Sequence, residues 1–223
     1  MSEPHGDAYA ALRVRVTEVV AGADPDALEQ IAPATPSWTV REVLCHLVGV
    51  TDDVVNGRLE GVTTDAWTAA HVDKRVGVPV DALLEEWEAT GPQFDAMLRA
   101  VPDEIAGQAV FDAVTHEHDI RNGLDAPGAR DSDAVALAWA WAVDARTRFG
   151  APALRFVTDA GAEVSGAGEP VATVQASRFE LIRAFTGRRS ADEITRYGWE
   201  PGCKPELLIA ADIFTLRARP LDE

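Results

Sequence analysis

The spacing of hydrophobic residues predicts helices over most of the first 150 residues. Apolar side chains recur there every three or four positions, as they do on one face of an α-helix. In "PVDALLEEWEATGPQFDAML", Leu83, Trp87 and Phe94 share such a face, and Pro92 predicts a bend. These segments predict a helical bundle whose helices are Tyr9 to Ala21, Val40 to Leu59, Val80 to Val101, Glu104 to Leu124 and Ala134 to Phe149.

The second of these helices has a clear start signal. In "TVRE", Thr39 is placed to cap the helix and Glu42 stands three residues later, which is the pattern of a capping box. The register of this helix, and with it the direction of each side chain, is therefore predicted.

The pattern changes after Gly150. Short β-rich runs, "ALRFVT", "AEVSG" and "VATVQA", predict an antiparallel meander, followed by a helix "SRFELIRAFTG" with Ser177 as N-cap and Gly187 as its stop. "SADE" from Ser190 is a second capping box, and the tail from Trp199 reads mostly as loop. We predict an α+β protein with an up-and-down helical bundle at residues 1–150 and a small α/β domain at residues 151–223.

Composition and net charge limit the classes of partner that this protein is expected to bind. The 223 residues are 47% hydrophobic and 26% charged, as in a soluble globular protein. Twenty Lys and Arg face 37 Asp and Glu, and the formal charge of −17 repels nucleic acids and anionic lipid surfaces. The start "MSEPHGDAYA" lacks the basic end and apolar run of a signal peptide, so we expect a cytoplasmic protein.

The two cysteines, Cys45 and Cys203, form neither a disulfide framework nor a CxxC motif. Cys45 is adjacent to His46, but neighbouring residues of a helix point about 100° apart and cannot pair. We expect Cys45 to be buried filler.

Residues 110–125, "VFDAVTHEHDIRNGLD", hold two of the five histidines among acidic residues. On a helix, Asp112 and His116 are four residues apart and lie on one face, and Asp119 returns to that face. Glu117 and His118 point away from it. A single metal ion can reach both Asp112 and His116.

A third ligand must come from another helix. Besides His118, the remaining histidines are His5, in a frayed terminus, His46 and His71. His46 is favoured because it lies at the border of the apolar stripe of its helix. Two histidines and one carboxylate match a catalytic zinc site, and the same set also takes iron, nickel or another divalent ion. Asp119 is placed to orient His116.

Two stretches together carry a family resemblance. "PSWTVREVLCHLVGV" followed by "FDAVTHEHDIRNGL" resembles the DinB-like metal-binding bundles and, more closely, the mycothiol-dependent maleylpyruvate isomerase family of actinobacteria. In that family a Trp precedes a helix with a metal-binding His, and a later helix carries E-x-x-x-H-x-x-D. "VQASRFELIRAFTGRRSADEI" and Trp199 resemble the small C-terminal domain of many members.

The resemblance implies a role for each matching residue. His46 is the first ligand, His116 the second, and Asp112 stands where the family has glutamate. Because Asp is one methylene shorter, either the metal lies closer to the helix, or a water bridges, or metal affinity is lower. The implied activity is that of a zinc-dependent isomerase or S-transferase that uses mycothiol as a thiol cosubstrate.

Other readings of the site stay open. A metal-dependent hydrolase needs a general base, for which Asp53, Asp119 and Glu42 are candidates. A protein that binds metal or a small ligand without turnover is the third reading. A carboxylate substrate needs a fixed cation, and the candidates are Arg121, Arg188 and Arg189. Whether the chain forms a homodimer is open as well.

Overall fold

The chain divides into two compact units between Gly128 and Ala129. The computed structural model describes residues 3–209, 214–221 and 223. Among the described residues, none of the helices combines the length and the apolar composition needed to cross a membrane. The helices of the first unit are α1 (Glu3–Ala21), α2 (Pro25–Leu28), α3 (Val40–Val55), α4 (Asp65–Asp73), α5 (Val80–Ala100) and α6 (Asp103–Gly123).

Helix α3 begins as predicted. The Thr39 hydroxyl accepts a hydrogen bond from the backbone N–H of Glu42 at 3.2 Å, and the Glu42 carboxylate accepts one from the Thr39 N–H at 2.7 Å. This capping box satisfies two N–H groups that the helix itself leaves without partners. It also sets the register of α3, which turns His46 into the interior.

The core of the first unit joins α1, α3 and α5 around the buried Thr51. Its hydroxyl donates to the Leu47 carbonyl at 3.1 Å and accepts from Trp87 Nε1 at 2.9 Å and from the Tyr9 hydroxyl at 3.0 Å. Burial raises the pKa of Tyr9, which keeps its phenol protonated and able to donate. Polar groups of three helices are thus satisfied without water.

The second unit surrounds a small mixed sheet, and the predicted α+β class is confirmed. The sheet order is β2-β1-β3-β4, with β1 antiparallel to β2 and parallel to β3, and β3 antiparallel to β4. Its elements are α7 (Asp133–Arg148), β1 (Leu154–Thr158), β2 (Gly161–Ser165), β3 (Thr173–Gln175), α8 (Arg178–Phe185), α9 (Ala191–Ile194), β4 (Gly198–Glu200) and a 3₁₀ turn (Pro205–Leu207).

The sheet corrects the predicted meander. After β2 the chain runs back along the start of β1, where Ala153 donates to the Ala167 carbonyl and Val171 donates to the Ala153 carbonyl. This return places β3 on the far edge of β1, in the same direction. The described part of the tail from Trp199 is mostly loop, as predicted, but its first residues belong to β4, which pairs with β3 through Trp199 opposite Val174.

Helix α7 belongs to the second unit, whereas the sequence places the bundle boundary after it, at residue 150. Trp139 of α7 packs on Phe156 of β1, with ring centroids 5.2 Å apart, and on Phe185 of α8, at 5.7 Å. Ser177 caps α8, and Gly187 ends it with a φ of +71°. The apolar stretch 207–214 of the tail includes residues 210–213, which lie outside the described part.

Candidate metal centre

Helices α3 and α6 bring three predicted ligands together. His46 Nε2 lies 3.4 Å from Asp112 Oδ2, and His116 Nε2 lies 3.6 Å from Asp112 Oδ1. One ligand atom from each of the three residues falls within 4.8 Å of the others. Asp112 and His116 meet because they are four residues apart on α6, and the packing of α3 against α6 supplies His46.

The spacing of these atoms fits a divalent metal. Zinc bonds of about 2.0–2.1 Å in a tetrahedral site place neighbouring ligand atoms about 3.3 Å apart. The two nitrogen-to-oxygen distances of 3.4 and 3.6 Å, each to a different oxygen of Asp112, are close to this value. Two imidazoles and one carboxylate leave further coordination positions, as in catalytic rather than structural sites.

Asp119 holds the second histidine. Its Oδ2 lies 3.1 Å from His116 Nδ1, and its side chain is fully buried. Because an ionised carboxylate can only accept, the His116 Nδ1 must carry the proton. The Nε2 of a neutral His116 then presents a lone pair towards Asp112, as a metal ligand must.

The opposite side of His46 contacts a buried polar chain. Its Nδ1 lies 3.2 Å from Nδ1 of His71, whose Nε2 lies 3.1 Å from Asp53 Oδ2. Asp53 Oδ1 accepts from Arg58 Nε at 2.7 Å and from Lys74 Nζ at 3.3 Å. Asp53 therefore contacts His71 directly and acts on His46 only through it. From the sequence, His71 is identified only as one of the remaining histidines.

Asp53 and His71, two members of this buried polar chain, have shifted pKa values. Burial acts to raise the pKa of Asp53, but hydrogen bonds from Arg58 and Lys74 outweigh it, and the pKa is lowered. Burial lowers the pKa of His71 to about 4, and the neighbouring His46 adds to the effect. Asp53 is thus ionised and His71 neutral at pH 7.

Helix α4 and a glycine of α3 place His71. Thr64 caps α4 by accepting from the Trp67 N–H, and the Trp67 ring packs edge-on against His71 at 4.2 Å. A Cβ at Gly49 would lie 2.4 Å from Cγ of His71, so only glycine admits the ring at this point of α3. Two sequence signals accompany this contact. Gly49 interrupts a helical pattern, and Thr64 precedes "DAWTAAHVD" as an N-cap residue.

The cluster is open on the carboxylate side. The side chain of Asp112 is 40% exposed, whereas those of His46 and His116 are 5% and 11% exposed. Trp38, in the loop before α3, lies beside both imidazoles, with ring centroids 5.4 Å from His46 and 6.1 Å from His116. A small molecule can therefore approach past Asp112 and Trp38 while the imidazoles stay shielded.

The predicted substrate-binding arginines are engaged elsewhere. Arg121 Nε donates to Glu117 at 3.1 Å, and Glu117 is fully buried. In the second unit, Arg189 makes a bidentate pair with Glu180 at 2.7 and 2.8 Å. Arg188 donates to the Thr186 carbonyl at 2.7 Å. Their role towards a substrate stays a prediction.

Fold and site together define a DinB-like bundle with a two-histidine, one-carboxylate cluster, followed along the chain by a small α/β unit. A family model gives the particular family. The model described as "Mycothiol maleylpyruvate isomerase N-terminal domain" matches residues 9–121, and the chain belongs to that family.

Two solved structures share the fold. One is a crystal structure of the mycothiol-dependent maleylpyruvate isomerase, with a TM-score of 0.63 and 13% identity. The other is a histidine-to-alanine mutant of that isomerase, with a TM-score of 0.62 and 14% identity. Each comparison covers 92% of this chain and 95% of the other. No curated protein matches the chain significantly.

Proposed function

We propose that this chain is a metal-dependent enzyme that uses mycothiol as a thiol cosubstrate. It would either isomerise a small electrophilic substrate, for example one that carries a carboxylate, or transfer the thiol onto it. The observation that carries the proposal is the convergence of one ligand atom each from His46, Asp112 and His116 within 4.8 Å. The family and the names of its two structural neighbours supply the thiol and the class of reaction.

His46, Asp112 and His116 would hold the metal, which we take to be zinc because imidazole and carboxylate are ligands of catalytic zinc sites. A bound divalent cation would favour the thiolate form of the thiol and so supply a nucleophile at neutral pH. Asp119 keeps the proton of His116 on Nδ1, away from the cluster. Trp38 and the buried imidazole rings shield one side of the site from water.

The cysteines of the chain support an external thiol. Burial raises the pKa of Cys45, which is fully buried. Burial and the neighbouring Glu206 raise the pKa of Cys203 as well. A nucleophilic cysteine needs a lowered pKa and access, so neither thiol suits the role.

The isomerisation is balanced without another reactant. The thiolate adds to one carbon of a cis double bond that is conjugated with a carbonyl, and the π electron pair moves onto that carbonyl as an enolate. The former double bond is then a single bond that can rotate. Breaking the C–S bond then regenerates the thiolate and the trans double bond. In a transferase the C–S bond remains and a leaving group departs instead.

Hydrolysis is the weaker alternative. Of the candidate bases, Glu42 caps α3, Asp119 is hydrogen-bonded to His116, and Asp53 is paired with Arg58 and Lys74. A lowered pKa makes Asp53 a poor base at neutral pH. A binding protein without turnover has the same metal ligands and is separated from an enzyme by experiment.

Metal content of the purified protein, measured by plasma mass spectrometry, is the first test. We expect about one metal per chain in the wild type and loss of metal in His46→Ala and His116→Ala. His5→Ala, outside the cluster, is the matched control and should keep its metal. A wild type that is purified without metal and resists reloading would overturn the proposal.

Thiol dependence is the second test. Mycothiol should bind the metal-loaded protein and not the metal-free protein in calorimetry, and turnover of maleylpyruvate or a related electrophile should require the thiol. Turnover that is indifferent to thiol would point to hydrolysis. Retained ligand with no turnover under either condition would point to a binding protein.

A further inference from the structure

Two residues beyond the metal ligands bear on how His46 is presented to the cluster. His71 is fully buried between α3 and α4, and its two ring nitrogens face His46 Nδ1 and Asp53 Oδ2. Neither contact is explained by packing alone, because each joins nitrogen or oxygen atoms at hydrogen-bond distance. The direction of these hydrogen bonds decides which nitrogen of His46 can bind a metal.

The direction follows from counting protons. Arg58 and Lys74 both donate to Asp53 Oδ1 and lower the pKa of Asp53, so the group is a carboxylate and its Oδ2 can only accept from His71 Nε2. A neutral imidazole has one N–H, which leaves a lone pair on His71 Nδ1. His46 Nδ1 must then carry a proton and donate it to His71 at 3.2 Å.

We propose that Asp53 and His71 are positioning residues that direct the hydrogen bond from His46 Nδ1 to His71 and so reserve His46 Nε2 for the metal. His71 is the direct partner, and Asp53 acts through it. On the other helix, Asp119 does the same for His116 in one step. The inference rests on the proposed function for the metal, but the direction of the hydrogen bond does not.

An Asp53→Asn substitution should reverse the chain of hydrogen bonds. Arg58 and Lys74 both donate to Oδ1, so the amide oxygen has to take that position. The amide nitrogen then faces His71 Nε2 and donates to it. His71 Nδ1 becomes the donor to His46 Nδ1, and the proton of a neutral His46 moves to Nε2, where it blocks the metal.

Asp52→Asn is the matched control. Asp52 is the neighbouring carboxylate on α3 and pairs with Arg58 and Arg75 instead of His71. The substitution removes the same charge at a similar place in the sequence. A change that comes from charge alone would therefore appear in both variants.

The first readout is the protonation of each ring nitrogen, measured by ¹⁵N NMR of the metal-free protein at a pH of about 8, above the ordinary histidine pKa. In the wild type and in Asp52→Asn we expect a proton on Nδ1 of His46 and none on Nδ1 of His71. In Asp53→Asn the two should exchange. A wild-type spectrum with a protonated His71 Nδ1 overturns the proposal, even if the variants fail to fold.

The second readout is the affinity for Zn²⁺, measured by competition with a chelator. We expect Asp53→Asn to weaken binding about 10- to 100-fold, the usual effect of losing a residue that orients a metal-binding histidine. Asp52→Asn should stay near the wild-type affinity. Equal affinities in the two variants would overturn the positioning role, whereas a wild type that binds no Zn²⁺ but has the expected protonation would overturn only the proposed function.

Discussion

Substitution of Gly49 by alanine should destabilise the first unit, although alanine is the better helix former. A Cβ at residue 49 would lie 2.4 Å from Cγ and 2.5 Å from Cβ of His71. Carbon atoms in contact are about 3.5–4.0 Å apart, so α4 or the ring must move by about 1 Å. That movement stretches the 3.2 Å contact between His46 and His71 beyond hydrogen-bond length.

The magnitude follows from three effects. Overpacking of a buried site costs about 1–3 kcal/mol. Two buried hydrogen bonds of His71, each about 1 kcal/mol, are weakened or lost. Replacing glycine by alanine within a helix stabilises the helix by about 1 kcal/mol, which offsets part of this loss. We expect the free energy of unfolding to fall by about 2–4 kcal/mol.

Urea unfolding of the metal-free protein, followed by circular dichroism, measures this change without a contribution from metal binding. His71→Gly removes every atom that the new Cβ would meet within 2.7 Å. In that background Gly49→Ala should stabilise by about 1 kcal/mol, so the effect changes sign. A neutral or stabilising Gly49→Ala in the wild type would refute the argument that His71 requires glycine here.

Two further predictions concern carboxylates that pair with arginines. Glu117→Gln should lower the free energy of unfolding by about 3 kcal/mol. The fully buried Glu117 carboxylate accepts hydrogen bonds from Arg15 Nη2 at 2.8 Å and Arg15 Nε at 2.9 Å, and the neutral amide loses this ion pair. Glu88→Gln, whose side chain is 73% exposed, should cost less than about 1 kcal/mol in the same urea assay. In Glu180, burial acts to raise the pKa, but Arg189 outweighs it and lowers the pKa. The stability lost in Glu180→Gln should therefore be fully present at pH 7 and shrink as the pH falls below about 4.3, and an unchanged difference at low pH would contradict this.

The parts of the site that depend on a single helix could be predicted from the sequence. Asp112, His116 and Asp119 share a face because the helix period fixes their spacing, and the capping box of Thr39 fixes the register of His46. His71 could not be assigned in the same way. Its contacts with His46 and Asp53 depend on how α4 packs on α3, which no periodicity within one helix specifies.

The sheet differs from its prediction for a similar reason. The β-rich runs were each recognisable, and β1 and β2 pair across the short turn expected of a hairpin. The partner of β3 depends on the path of residues 166–172, which lies alongside the start of β1. Local pattern gives the strand, whereas the order of strands is decided by contacts distant in sequence.

The short side chain of Asp112 is the remaining departure from the family motif, and the geometry bears on what it means. Both of its oxygens lie within 3.6 Å of an imidazole nitrogen, so one methylene fewer does not separate the carboxylate from the histidines. The Nδ1 atom of each histidine is also at hydrogen-bond distance from a buried partner, which is Asp119 for His116 and His71 for His46. In the proposed metal site, imidazoles fixed in this way would lose little orientation entropy on binding a metal, which favours retained affinity despite the shorter carboxylate.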